Sequence, residues 1–395
     1  MDDSLEDLCL GMIEECNYDV IQDIMLKSES NMNLIKSHEQ SIAKARICRI
    51  IKTAQLRPPL GAVISSSDEK RSVLGPTNLE VVRELELRHA FFKRLLDTKK
   101  RDTVLILFFP VLTGLLMCEM TSMLAILFVI RFEEALQLMD RILDCAATIR
   151  HEFALDPTPP YPGFDARGLD RVIHRARQKL IAALSPLDLA FLCLIPDLVD
   201  ETAGLIGDDT ETTYIGGIDG EMLLQNGTMG VYHALIPDES HTMALLEARF
   251  AGAVKVMQWD TGMKSEAPDW PAGRALEPLA RVVRRTFAEK LPTLPQQHLD
   301  ALEEAIADED VNAGRRVAAI PEYWLIGRWL TTRDTTLEER PPIPQESWKE
   351  WFDWAATQDP SLAEPEVLPE RDEPDSDDEL RAFLSTAMDA WDTET

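Results

Sequence analysis

The feature that most constrains this chain is an apolar run from Thr103 to Ile130, 28 residues holding one charge, Glu119, between Lys99-Lys100-Arg101-Asp102 and Arg131. A segment that long must be buried somewhere. Its length suits a bilayer-spanning helix, while Glu119 is costly in hydrocarbon and Pro110 would kink a helix. Three readings stand: a hairpin or helix at the centre of a helical domain, a membrane span, or an inserted or wrongly assigned segment. The flanking sequence favours the first, because helix signals dominate it. Thr77-Asn78-Leu79-Glu80 after Pro76 fits a capping box, followed by Leu79, Val82, Leu85, Phe92, Leu95 and Leu96 near helical spacing. Ser185-Pro186-Leu187-Asp188 supplies an N-cap, a first-turn proline and an acid where the helix dipole favours one; the apolar run Leu189 to Ile195 follows. Leu169 to Leu184 places Leu169, Val172, Ile173, Ala176, Leu180 and Ala183 on one face with arginines opposite. Amphipathic patterns recur near 242–257, 274–290, 296–307 and 345–356, and Thr213-Tyr214-Ile215 is the best strand candidate. The predicted class is all-α, an irregular multi-helix domain.

The organisation expected is an N-terminal helical segment over 1–56, a turn-rich linker over 57–76 and a helical block over 77–150 that includes the apolar segment 103–130. A Pro-rich loop over 151–168, a helical body over 169–356 and an acidic tail over 357–395 complete it. The linker holds Pro58-Pro59, Gly61, Ser65-Ser66-Ser67 and Gly75-Pro76, and the loop holds Pro157, Pro159, Pro160 and Pro162. The tail carries 13 Asp and Glu against two Arg, a composition that predicts disorder over most of its length. Near its end, Ser376-Asp377-Asp378-Glu379 caps a short amphipathic helix, 377–392, whose stripe is Leu380, Phe383, Leu384, Met388 and Trp391. That stripe fits either its own domain or a partner's hydrophobic groove.

Composition excludes several functions. The formal net charge of −29 repels nucleic-acid phosphate and anionic headgroups. The six cysteines are scattered without a CxxC pair, and the opening Met1-Asp2-Asp3-Ser4-Leu5-Glu6 lacks the basic and apolar regions of a signal peptide. Together these point to a reducing, intracellular setting, cytoplasmic or nuclear, where Asn226-Gly227-Thr228 goes unglycosylated and Gly227 reads as a helix stop. The seven histidines stand apart, and no P-loop, dinucleotide fingerprint or nucleophile elbow occurs. Gly216-Gly217-Ile218-Asp219-Gly220 lacks a cation for a phosphate cradle and reads as a turn. Asp208-Asp209 with Glu211 misses the spacing of a calcium loop. No catalytic residue, cofactor or metal site is predicted. Trp348, Trp351, Phe352 and Ala355 make one helical face, read as core, with a protein-docking patch as the minority view. Lys44, Arg46, Arg49, Lys52 and Arg57 alternate with isoleucines and read as a solvated face or internal charge partners.

The N-terminus carries the functional signal. Leu5-Glu6-Asp7-Leu8-Cys9-Leu10-Gly11-Met12-Ile13-Glu14 resembles the opening D-L-P-x-E-L-x-x-x-I of the F-box motif. Leu26-Lys27-Ser28-Glu29-Ser30-Asn31-Met32-Asn33-Leu34-Ile35-Lys36 resembles its closing portion. Cys9 stands in place of the motif's proline and Gly11 in place of its glutamate, so the box is degenerate. Leu184-Ser185-Pro186-Leu187-Asp188-Leu189-Ala190-Phe191-Leu192 and Met222-Leu223-Leu224-Gln225-Asn226-Gly227 resemble segments of fungal F-box-like proteins. The resemblance implies a non-catalytic substrate receptor whose helical hook docks the small Skp-family adaptor of a cullin–RING ubiquitin ligase while the body binds an unidentified substrate protein. The partner-binding residues it implies are Leu5, Leu8, Leu10, Met12, Ile13, Leu26, Leu34 and Ile35; the tail stripe is a second candidate surface. The alternatives are that the N-terminal leucines begin the globular core, that 103–130 anchors the chain in a membrane, or that the tail acts in transcription-related docking.

Overall fold

The computed structural model describes residues 10–54, 59, 61–65, 72–95, 122–157, 164, 166–206, 219–235, 277–292, 311–339 and 347–358. Of these, 84% are helical and 2% lie in strands, an all-α architecture. After a helical turn over 10–15, the chain runs through α1 (Tyr18–Lys27), α2 (Glu29–Ser37), α3 (Glu39–Ala54), β1 (Val63–Ile64), β2 (Val73–Leu74) and α4 (Leu79–Leu95). Then come α5 (Ser122–Leu155), α6 (Ala166–Ala182), α7 (Pro186–Ile206), α8 (Asp219–Leu235), α9 (Leu279–Lys290) and α10 (Val311–Thr332). A 3₁₀ turn (Thr335–Glu338) and α11 (Trp348–Gln358) follow.

Local chemistry fixes the breaks between the first helices. Asn17 accepts a hydrogen bond from the Val20 amide at 3.1 Å and starts α1. Ser28, extended at φ −160°, ends α1 and starts α2 by accepting from the Asn31 amide at 3.1 Å. The three helices bury Ile21, Ile35, Ile42, Ala43 and Ile50, with Ile13, against Val81, Val82 and Leu85 of α4. The stretch read as a linker forms an antiparallel pair, Val63 opposite Leu74 and Ile64 opposite Val73. Val63 enters the N-terminal cluster, while Ala62 and Ile64 enter the next. The linker is therefore a wedge between two cores.

α5 is the spine. At 34 residues it is about 51 Å long. Its first half places Phe128, Phe132, Leu136 and Met139 in the largest core, and its second half places Leu143, Ala146, Ala147 and Ile149 in a second core with α6 and α11. α7 is apolar all round from Leu189 to Ile195, and it is buried on all sides among α5, α8, α9 and α10. Reciprocal bonds seat its start: Ser185 accepts from the Asp188 amide at 3.1 Å and Asp188 from the Ser185 amide at 3.2 Å. Among the described residues no single helix is long and apolar enough to cross a membrane. Residues 103–121 of the apolar run lie outside the described residues; its last part opens α5, with Phe128 buried and Ile126 and Ile130 exposed.

Candidate protein-interaction site

The densest charged chemistry lies inside the protein. The Arg88 guanidinium donates to Glu84 at 2.8 Å, to both oxygens of Asp144 at 2.7 and 3.0 Å, and to the Ile64 carbonyl at 2.8 Å. Asp144 also accepts from the Ile64 amide at 3.0 Å. One turn earlier on α5, Asp140 accepts from the Thr228 amide at 2.8 Å and the Thr228 hydroxyl at 2.6 Å. Those bonds need the break in α8, where Gly227 adopts φ 63°, ψ −150°. A Cβ there would sit 2.2 Å from an Asp140 oxygen, so only glycine fits.

Electrostatics divides labour within the cluster. Burial opposes the charge on Arg88, but Asp144, Asp140 and Glu84 outweigh it and hold its pKa well above the usual arginine value. Burial pushes Asp140 up to about 6 against the pull of Arg88. Three carboxylates thus surround one guanidinium, and Asp140, which makes no bond to it, is held by Thr228 instead. Arg177 is buried nearby, donating to the Ile142 and Leu143 carbonyls at 2.9 and 3.2 Å and to Gln225 at 3.0 Å. Glu84, Arg88, Asp140 and Asp144 are each at most 8% exposed. Bonds to protein groups occupy them, so the cluster locks α4, α5, α8 and β1 in place. Among the described residues no group of three His, Cys, Asp or Glu side chains is placed to hold a metal ion.

Sequence reasoning missed this cluster. Its signal was present: Glu84 with Arg88, and Asp140 with Asp144, are each spaced i,i+4 within otherwise apolar faces.

The outward candidate is the N-terminal unit. Of the predicted docking residues, Met12 is 64% exposed and Leu26 79% exposed. Val20, which the motif comparison did not single out, is 42% exposed on α1. Leu10 and Leu34 are half-buried. Ile13 and Ile35 are buried at 7% and 0% beneath this chain's own helices, so neither is open to a partner. Leu5 and Leu8 lie outside the described residues, as do Leu380, Phe383, Leu384, Met388 and Trp391. The unit is fastened to α4 through Arg46, which donates to Glu86 at 2.6 Å, and through the Tyr18 amide, which donates to Glu86 at 2.9 Å. The Tyr18 hydroxyl bonds Glu80; burial and that carboxylate push the phenol up to about 12.

Three of the late tryptophans are core, while Trp324 and Trp354 are half-buried. Trp348 and Trp351 are buried on α11, and Trp329 is buried on α10 with the Arg131 and Arg333 guanidinium groups near its ring at 5.1 and 5.4 Å. No protein-family model matches the chain, and neither does a curated protein or a solved structure.

Proposed function

We propose that the chain is a non-catalytic protein-interaction adaptor, an F-box-like substrate receptor that docks the Skp-family adaptor of a cullin–RING ubiquitin ligase through its N-terminal helices. One observation carries the reading. Met12, Val20 and Leu26 are three of the six large apolar side chains that stand exposed among the described residues, and all three belong to the small helical unit ahead of β1. The inner side of that unit packs its own isoleucines against α4 and Val63 of β1, while these three side chains face outward. Burying a residue of this size yields roughly 1.5–3 kcal/mol, and a small cluster of such anchors supplies most of the energy of a protein interface. The N-terminal resemblance supplies the occupant. The mechanism is proximity: one end holds the ligase, the body holds a target, and the target's local concentration at the transferring enzyme rises.

The test is co-purification of the full chain with the ligase adaptor, comparing the parent with a Met12→Asp, Val20→Asp, Leu26→Asp triple variant. Recovery should fall at least tenfold in the variant while its helical circular dichroism is retained. Equal recovery, or no adaptor with the parent, would overturn the reading.

A further inference from the structure

We propose that the acidic C-terminal segment, residues 359–395, docks in cis on the basic face formed by α6 and α9. Charge distribution supplies the first argument. In a chain of formal charge −29, α6 carries five cations against one anion, and α9 four against one. The two helices pack side by side. α9 begins where His174 of α6 bonds the Glu277 backbone, and it ends with the Lys290 ammonium donating to the Ala182 and Leu184 carbonyls at 2.6 and 2.7 Å. Arg281, Arg284 and Arg285 are exposed on α9, and Arg171, Arg175 and Lys179 are half-buried on α6. Arg285 is held between Glu277 and Glu289 at 3.0 and 3.1 Å, and Asp170 pairs with Arg150 at 2.9 Å. Glu350 of α11 also lies near Lys179, yet the formal charges of the two helices stay net positive when Glu277 and Glu350 are added, in a molecule that is strongly negative.

Covalent connection supplies the second argument. α11 lies on α6, with the Lys179 ammonium 5.1 Å from the Trp351 ring centre and 4.8 Å from that of Trp354. The acidic segment follows α11, which ends at Gln358 and packs on α6, one of the two basic helices. From Asp359 to Thr395 it carries 13 Asp and Glu against two Arg. By coil scaling, 37 residues reach roughly 35 Å, against about 18 Å for the whole of α9. Tethering then gives an effective concentration on the order of millimolar, so even weak pairing is populated. This contact does not depend on the N-terminal docking reading.

The experiment follows thermolysin cleavage within residues 359–395 of the full chain, normalised to a synthetic 359–395 peptide under the same conditions. At 50 mM salt the intact protein should be cleaved about tenfold more slowly than the peptide, and at 500 mM salt the two should converge as charges are screened. Arg281→Glu with Arg284→Glu, both outside the core, should abolish most of the low-salt protection. Adding Asp377→Lys, Asp378→Lys and Glu379→Lys to that variant should restore it. Protection should not change over a hundredfold range of protein concentration. A cleavage rate equal to the peptide's at low salt, protection unaffected by the arginine reversals, or protection that grows with concentration, marking a second copy as occupant, would overturn the proposal.

Discussion

Replacing Gly227 by alanine tests the internal architecture at its tightest point. Gly227 sits at φ 63°, ψ −150°, a region that residues with a side chain essentially do not occupy. Forcing alanine into it costs about 1–3 kcal/mol. Its Cβ would also fall 2.2 Å from Oδ1 of Asp140, which has to move. Asp140 would then give up the Thr228 amide at 2.8 Å and the Thr228 hydroxyl at 2.6 Å in a buried setting. Leaving those groups unsatisfied costs roughly 1–3 kcal/mol each. The sum is roughly 3–9 kcal/mol, a large fraction of the stability of an ordinary folded chain. Urea unfolding followed by tryptophan fluorescence measures it, with Gly11→Ala as the control because nothing lies within 4 Å of its added Cβ. The control should stay within about 0.5 kcal/mol of the parent. If Gly227→Ala also unfolds within that margin, the reasoning about the α8 break is refuted.

Further outcomes concern the same cluster and the N-terminal unit. Arg88→Met strands Glu84 and Asp144 and should cost roughly 3–5 kcal/mol, with part recovered on adding Glu84→Gln and Asp144→Asn; a loss below about 1 kcal/mol in the single variant contradicts the buried pairing. The folded pKa of Asp140, about 6, lies above its ordinary 3.8, so its contribution to stability is full below the lower value and is lost as pH rises through the higher. His174 behaves oppositely, because burial and the nearby Arg177 and Arg175 lower it from 6.5 to about 3, and its contribution is lost as pH falls through that window. Between pH 4.5 and 7.5, the parent's stability relative to Asp140→Asn should therefore fall with rising pH, while relative to His174→Gln it should rise. Slopes of the same sign would refute the assignment. Ile35→Ala should cost about 2–5 kcal/mol, whereas Leu26→Ala should stay within about 0.5 kcal/mol, separating residues that fold the unit from those that face outward.

Helix starts were legible because capping is local. The Ser185-to-Asp188 signal appears with both reciprocal bonds in place. The Thr77-to-Glu80 signal marks α4, but Asn78 is the residue that caps, accepting from the Glu80 amide at 2.9 Å, while the Glu80 carboxylate is taken by Tyr18. The face of Trp348, Trp351, Phe352 and Ala355 was readable from spacing alone, and all four are buried. Arg46 proved an internal charge partner through Glu86. The reading of 57–76 as a connector failed to foresee β1 and β2, because two-residue strands carry no periodicity and Ile64 is fixed by Arg88 and Asp144, far along the sequence. The loop expected from His151 begins later, since α5 continues to Leu155 before the prolines intervene. Thr213-Tyr214-Ile215 lies outside the described residues. At the candidate site, the motif's leucine spacing did not distinguish inward Ile13 and Ile35 from outward Met12 and Leu26, because that division depends on where α4 packs.

Calorimetric titration of the full chain with a purified Skp-family ligase adaptor puts the central claim to the most direct test. Binding should be micromolar or tighter, a free energy of at least about 8 kcal/mol in magnitude, weakened at least tenfold by Leu26→Asp. Absence of binding by the parent, or equal affinity for parent and variant, would contradict it.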